Sequence, residues 1–374
     1  MYPPPSQDED GFVRAIVRAT AAERADLVIP TTDLASAILA EHRAAIESPA
    51  RVAVVDPERF WAASDKNRIH RTAIHLGVPS PTLHFVDGPE EALALQGRVT
   101  FPCVVKPSRS HFHKAGRWIR TSVRRVESTS EYVALFRDRP EFRIPCMIQR
   151  EVRGDGRGIF ALCRDGEPIA LFAHHRLREK PPWGGVSVLR ESVPLEPQMK
   201  DMAIRLLREI RWHGVAMVEF KREASTGVPY LMEVNARLWG SLQLAIDAGV
   251  DFPVLLTQLY LEGETTVPPP YRVGVRSRWL LGDLDHLLAR LTRRPRGPTS
   301  LPPLPSLLWE FFWPFQAHTR LEVESWSDMG PSLCELRTYV SEALGALRRS
   351  PARRSSGSSW SKPLPLNHDE LRNS

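Results

Sequence analysis

The sequence predicts an α/β region followed by an α+β region. Over residues 10–63, helical and short apolar strand patterns alternate, as in a parallel sheet with crossover helices. From about 100 to 265, strand patterns follow one another with few helices between them, which suits an antiparallel-rich sheet. After 265 the prolines thicken and the periodicity changes again.

"FVRAIVRATAAE" has helical spacing, "DLVIP" is a short apolar strand, and "TDLASAILAEHRAAI" is a helix with Thr32 or Asp33 as its cap. "RVAVV" is a second strand. "DPERFWAA" opens a helix with Asp56 as cap and Pro57 at its first position. "SDKNRIHRTAIHLGVPSP" is a capped helix ending at Gly77. "PCVVKP", "IPCMIQREV", "GIFALCRDGEPIALFAHHR", "GVAMVEFKRE" and "VPYLMEVNAR" then supply strands. Asp-Gly in "CRDGEP" predicts a tight hairpin turn, and "RGDGRG" predicts a glycine-rich turn. Helices are expected at roughly 196–212, 239–261 and 275–292. The aromatic run "SLLWEFFWPFQ" has no cationic polar face of its own, so packing against the main domain is expected rather than lying on a membrane. Residues 349–374 are rich in Ser, Arg and Pro and are expected to be disordered.

The chain has 374 residues, 42% hydrophobic and 25% charged, enough for two or three globular domains. No apolar run approaches the ~18 residues of a membrane span. The opening "MYPPPSQDEDGF" is acidic and proline-rich, unlike a secretory signal. Cys103, Cys146, Cys163 and Cys334 are scattered without a CxxC, which points to reduced thiols and a cytoplasmic protein. Net charge is +6, but residues 290–374 hold 12 Lys/Arg and 8 Asp/Glu, so +4 of it lies there. With no basic stripe interleaved with aromatics on a strand, a solvated tail explains the charge better than a nucleic-acid site.

The chemistry concentrates in two acidic strands. Glu233, Asn235 and Arg237 alternate in "YLMEVNAR", so on a strand all three project the same way. Glu219 in "AMVEF" sits among apolar neighbours on the preceding strand pattern. Two carboxylates on neighbouring strands repel unless a cation lies between them. Mg²⁺ suits hard oxygen ligands and bridges one or two carboxylates to phosphate oxygens. Arg237 would then stabilise charge on a transferring phosphoryl group. The bland alternative is a buried ion pair, for instance Glu233 with Arg237.

In sequence order, "SDKNRIHRTAIHLGVPSP", "FPCVVKP", "MIQREVRGDG", "GGVSVLRESV", "GVAMVEFK" and "MEVNARLWGS" resemble the ATP-grasp superfamily, in its carbamoyl-phosphate-synthase-like, carboxylate–amine ligase branch. The resemblance covers about residues 64–264. It implies a two-subdomain ATP-grasp fold gripping ATP, preceded by a truncated Rossmann-like domain of which residues 10–63 fit only the second half. It implies that Lys66 and Lys106 contact phosphates, that Gln149, Arg150, Glu151 and Val152 form the hinge reading the adenine edge, and that Asp155 meets the ribose. It makes Glu219, Glu233 and Asn235 the metal ligands, and Arg237 and Arg176 catalytic, with Arg176 holding a substrate carboxylate. His174 and His175 lie beside Arg176, but each reads more readily as a packed strand histidine. Two departures stand out. Arg150 occupies a place often held by Glu, and the lid loop "SRSHFHKAGRW" has only Gly116, so its cationic side chains either replace backbone phosphate donors or are simply solvated.

The organisation expected is a partial Rossmann-like domain at 1–63, an ATP-grasp domain at 64–265, a helical and Pro-rich extension at 266–348, and a disordered tail at 349–374. The function implied is an ATP-dependent ligase using Mg²⁺ or Mn²⁺, which activates a carboxylate as an acylphosphate and forms an amide-like C–N bond. A phosphotransferase on the same scaffold and a non-catalytic nucleotide-binding protein are the alternatives. The partners expected are ATP and small carboxylates and amines, with no nucleic acid and no stable membrane insertion; homodimerisation stays open. Truncation after residue 348 is expected to leave the melting temperature and any ATP turnover within error of the full chain, because the tail has too few apolar residues to offset the entropy of ordering it. Thermal melts of the two chains check this.

Overall fold

The computed structural model describes residues 2–47, 50–114, 116–182, 184–292, 303–312 and 319–348. The tail 349–374 and the end of the aromatic run, 313–316, lie outside the described residues. In the N-terminal region, Leu27–Val28 and Arg51–Val52 pair in parallel, with the helix Asp33–Glu41 in the crossover. Thr32 is the cap of that helix, its hydroxyl accepting the Ala35 N–H at 3.2 Å. Asp56 caps Pro57–Ser64 and Asp65 caps Lys66–His75, so Lys66 is held at the first position of its helix.

Two sheets follow. In the four-stranded sheet the order is Leu83–Val86, Cys146–Arg150, Cys103–Pro107, Arg124–Val126. Its core face carries Val105, Cys146 and Ile148 under Tyr132 and Phe136. In the seven-stranded sheet the order is Pro229–Asn235, Gly214–Glu223, Gly154–Arg164, Glu167–Lys180, Val186–Ser192, Arg276–Arg278, Thr319–Leu321. The Asp165-Gly166 turn forms as its sequence requires, with φ of 47° and 96°.

One face of the larger sheet buries Ile159, Ala161, Val218, Phe220 and Leu231 against Ile38, Ile69, Met202 and Leu206. The other buries Phe160, Phe172 and Val215 against Leu244, Phe252 and Leu255. Fully burying a side chain of this kind contributes about 1.5–3 kcal/mol, so both faces hold the sheet flat against its helices. Further along its strands the second face turns polar, and the candidate site lies there.

Three expectations need correction. Residues 153–158 do not form a glycine-rich turn: Gly154, Asp155 and Gly156 are already in the ladder, opposite Glu223, Arg222 and Lys221. The helix expected over 239–261 is two helices, Leu242–Ala248 and Phe252–Glu262. Gly249 adopts φ 111°, and the Asp251 carboxylate accepts the Val254 N–H at 3.0 Å to start the second. The helix expected over 275–292 begins at Leu280, because Arg276–Arg278 extends the sheet beside Val186–Ser192.

This last strand anchors the C-terminal extension. Asp283 is fully buried; its Oδ1 and Oδ2 accept from Arg178 Nε and Nη2, both at 2.7 Å, and Oδ2 also accepts from Arg278 Nε at 2.7 Å. Arg178 Nη1 continues to Glu310 Oε2 at 2.9 Å. As expected, the helix Leu304–Phe312 packs on the main domain, with Leu307 buried and the Phe311 ring 4.6 Å from the Arg278 guanidinium. Trp309 and Phe312 nonetheless remain exposed. No single helix among the described residues is long and apolar enough to cross a membrane. Asp283→Ala leaves two guanidiniums buried without their shared carboxylate, and the expected cost is about 3–5 kcal/mol in urea unfolding.

Candidate active site

The two acidic strands pair antiparallel, and Glu219 stands directly opposite Glu233. Cross-strand partners share a face, so the two carboxylates lie side by side. The pairing then slips: Phe220 is opposite Leu231, which leaves Met232 as the extra residue of a β-bulge. The bulge corrects a simple alternation. Val234 and Ala236 enter the core, but Leu231 takes the inward place that strict alternation gives to Met232. The Met232 carbonyl instead accepts from His70 Nε2 at 3.2 Å, and its sulfur lies 3.5 Å from Gln149 Nε2. Burial pulls the His70 imidazole down to about 4, with Lys106 adding to the effect, so the ring is neutral when it makes this contact.

Each carboxylate has basic partners. Glu219 Oε2 lies 2.6 Å from Arg176 Nη2, and Glu219 Oε1 accepts from Asn235 Nδ2 at 2.8 Å. Glu233 Oε2 lies 3.4 Å from Lys66 Nζ. Burial pushes the Glu219 carboxyl up and the Glu233 charge adds to it, against the pull of Arg176. Burial acts the same way on Glu233, but Lys66 and then Lys106 outweigh it and hold that carboxyl below its ordinary value. Burial lowers Lys106 from 10.5 to about 8, partly countered by Glu233.

Clearance for these groups comes from glycine. A Cβ on Gly156 would stand 2.8 Å from Arg176 Cδ, and one on Gly158 would stand 2.5 Å from His174 Nε2. "RGDGRG" therefore serves as space beneath Arg176 and His174 rather than as a turn. His174 is fully buried, with its ring 4.7 Å from that of Phe160 and neither ring nitrogen hydrogen-bonded. Burial drives its pKa far down, as expected for a packed strand histidine.

On the four-stranded sheet, Lys106 pairs with Met147 and Val104 with Gln149, so Lys106 and Gln149 share the face opposite the Val105–Ile148 core. The arrangement thus brings together Lys66, Lys106, Gln149, Arg176, Glu219, Glu233 and Asn235. Arg237 joins through Asn235 Oδ1 at 3.3 Å. Its main partner is Asp33, at 2.7 and 3.3 Å, rather than Glu233. The private Glu233–Arg237 pair is therefore absent.

Other residues implicated by the sequence stand elsewhere. Arg150 Nη1 donates to Glu223 Oε1 at 2.7 Å, and its guanidinium lies 5.4 Å from the Tyr230 ring. Glu151 is taken up by Arg125 Nε at 2.5 Å, with Arg153 at 3.6 Å. Val152 is buried just beyond the strand Cys146–Arg150. Asp155 lies three residues from Gly158, the ladder partner of Glu219, so it faces the opposite side of the sheet. There it pairs with Arg157 at 2.6 Å and His175 at 3.1 Å. Burial raises its pKa, but these two partners outweigh that and hold it well below the usual carboxylate range. The ribose role does not fit this placement.

The lid segment is a hairpin of His111–Lys114 and Arg117–Arg120. At its base Arg109 Nε donates to Asp65 Oδ2 at 3.0 Å, and the guanidinium lies 4.0 Å from the Trp61 ring centre. Trp118 Nε1 donates to Glu9 Oε2 at 2.7 Å, while Glu9 Oε1 meets His42 Nε2 at 2.8 Å. Sequence reasoning missed His70, Met232, Asp33 and Asp65 as contributors. His70 carried a weak signal, one turn after Lys66 on the same helix face. Asp33 and Asp65 look like ordinary helix-start residues.

Among the described residues no group of three His, Cys, Asp or Glu side chains converges as a metal cage. Two carboxylates and a carboxamide do converge, with the Glu219 carboxyl raised by burial and its like-charged neighbour. A hard divalent cation that keeps waters and phosphate oxygens in its shell suits this donor set.

A family model described as "ATP-grasp in the biosynthetic pathway with Ter operon" matches residues 145–282. The carbamoyl phosphate synthase large chain of Thermomicrobium roseum is 28% identical over 228 residues; the match takes in 60% of this chain and 20% of that protein. The chain thus spans about a fifth of the curated relative it matches. Among solved structures, an L-amino acid ligase from Bacillus licheniformis aligns with TM-score 0.55 and 18% identity, over 71% of this chain and 62% of its own. A biotin carboxylase–nucleotide complex from Campylobacter jejuni aligns with TM-score 0.55 and 15% identity, over 71% and 60%. At these identities the structural likeness speaks for the fold. With the family match across both acidic strands, it identifies the chain as carrying an ATP-grasp domain.

Proposed function

We propose that this protein is an ATP- and Mg²⁺-dependent ligase that joins a carboxylate to an amine through an acylphosphate. The observation that carries the reading is the direct pairing of Glu219 with Glu233, ringed by Lys66, Lys106, Arg176 and Asn235. Lys66 and Lys106 would take the ATP phosphates, and Gln149 with the Met232 thioether would border the adenine. Glu219, Glu233 and Asn235 would hold Mg²⁺, which supplies neutralisation of phosphate charge when bound. Arg176 orients the substrate carboxylate bidentately. A carboxylate oxygen attacks the γ-phosphorus and ADP leaves; the amine nitrogen then attacks the acyl carbon and phosphate leaves. The Arg237 guanidinium would stabilise charge on the transferring group. No protein nucleophile is required, and positioning carries most of the work. The parallel pair Leu27–Val28 and Arg51–Val52 supports reading residues 1–63 as a partial Rossmann-like domain before an ATP-grasp domain at 64–265.

The test is an ADP-release screen over amino acids and small carboxylates, singly and in pairs, with the hit repeated using ¹⁸O-labelled carboxylate. Label appearing in phosphate is the expected result. Turnover without transfer of label means phosphorylation at another atom and overturns the acylphosphate. Glu233→Gln is expected to lower Mg²⁺-dependent turnover by about a thousandfold or more while the protein stays folded at the assay temperature. Normal turnover in that variant removes the metal assignment.

The buried Lys106 makes a pH prediction. Its folded pKa is lowered from 10.5 to about 8, so below that window it is charged in both folded and unfolded chains and its burial penalty is full. Between about 8 and 10 the unfolded chain binds more protons, and Lys106 makes stability rise with pH. In nucleotide-free protein, Lys106→Met is expected to melt higher than the parent near pH 7, with the gap closing toward pH 10. The same variant should bind a non-hydrolysable ATP analogue at least about tenfold more weakly. Parallel melts and titrations read both effects.

A further inference from the structure

Among the described residues, Arg190 is the largest side chain that the fold buries completely. It stands directly opposite Arg176 across the ladder, and Ser277 stands directly opposite Arg190 on the next strand. Cross-strand partners share a face, so these three side chains form one row, on the face where Arg176 meets Glu219. His174, two residues before Arg176 on the same strand, shares that face. A buried guanidinium is costly unless its donors are taken up. Arg190 has a carboxylate partner in Glu322, from the C-terminal extension, and its Nη1 donates to the Ser187 carbonyl at 2.9 Å. Its Nε has no hydrogen-bond partner among the described residues. Neither has Arg176 Nε, Ser277 Oγ or either nitrogen of His174. Buried polar groups are nearly always hydrogen-bonded, so five orphaned atoms on three adjoining strands point to an outside ligand.

Charge says what kind. Two guanidiniums face each other across the ladder, where like charges repel. Burial and then Arg176 pull Arg190 down from 12.5 to about 9. Glu219 and Glu179 take up Arg176 Nη2 and Nη1, at 2.6 and 3.5 Å, so neither relieves Arg190. Guanidiniums carry donors only, and the group that answers two of them is an anion. Arg190 lies one strand beyond Arg176, on the side away from Glu219. A substrate carboxylate on Arg176 therefore leaves Arg190 for a second anionic group about one strand spacing away, roughly 5 Å. We propose that Arg190 and Ser277 make this chain specific for a dicarboxylate, one carboxylate meeting Arg176 and reacting, the other held by Arg190 and the Ser277 hydroxyl. This assignment rests on the ligase reading, which gives Arg176 the first carboxylate.

The test is calorimetric titration of the full chain with glutarate and with valerate, in Mg²⁺ and a non-hydrolysable ATP analogue. Valerate has the same chain length and a single carboxylate. Glutarate is expected to bind at least about tenfold more tightly. Arg190→Met is expected to remove that preference and to leave affinity for the ATP analogue within about twofold. Because Arg190→Met strands the Glu322 charge, the double variant Arg190→Met/Glu322→Gln, which removes both, is titrated beside it. Equal affinity for the two ligands in the parent overturns the proposal, as does no binding of either, or a preference that survives the loss of Arg190. The ¹⁸O experiment separates the subsite from the ligase reading. A glutarate preference without label transfer keeps the subsite and overturns the acylphosphate. Label transfer from valerate as readily as from glutarate keeps the acylphosphate and overturns the subsite.

Discussion

Two like charges on adjoining strands set the terms for the rest of the site. Glu219 and Glu233 face each other across the ladder, mostly away from solvent, where their repulsion is only partly screened. Such a pair survives only if surrounding groups supply positive charge. Arg176 reaches Glu219 from the second strand over, and Lys66 reaches Glu233 from the start of a helix. Lys106 comes from the other sheet and is itself penalised by burial. The cationic partners therefore come from three separate parts of the fold, and the carboxylates hold those parts in register. Gly156 and Gly158 follow from the same requirement, since any side chain there would occupy the space of Arg176 or His174.

Much of this was legible in the sequence because a strand has period two. Glu233 and Asn235 alternate, Lys106 lies among apolar strand residues, and Gln149 ends a strand run, so their shared faces follow from local spacing. What could not be read depends on pairing. The bulge at Met232 exists because Phe220 aligns with Leu231 while Glu219 aligns with Glu233, and nothing local to "YLMEV" specifies that slip. Asp155 was misread for a related reason. Two glycines flanking an aspartate look like a turn, but the neighbouring strand runs on to Glu223 and draws Gly154–Gly156 into the ladder. The break at Gly249 and the edge strand Arg276–Arg278 are also tertiary choices made against a plausible helical pattern.

The C-terminal extension shows how ionic groups can dock a segment that has little apolar surface to offer inward. Asp283 is shared by Arg178 and Arg278, and Glu310 adds a second carboxylate to Arg178. Burying such a cluster gains little net energy over apolar packing, but removing any one member is costly. The extension is thus fixed in one arrangement while its apolar side chains remain available at the surface.

The N-terminal region is more than a spacer before the nucleotide domain. Asp33, at the first turn of its helix, holds Arg237, which in turn meets Asn235 beside the carboxylates. Asp65 does double duty: Oδ1 accepts from the amides that start the Lys66 helix, and Oδ2 accepts from Arg109 at the base of the lid hairpin. Glu9 joins the Trp118 indole of that hairpin to His42. Three acidic residues that read locally as helix-start groups therefore set the position of a candidate catalytic guanidinium and of both ends of the lid. A caps-and-propensity reading accounts for their backbone roles, since Asp and Glu favour first turns. Their side-chain contacts are fixed by what packs across from them, so the first 65 residues and the carboxylate site form one unit in which neither side's geometry is specified alone.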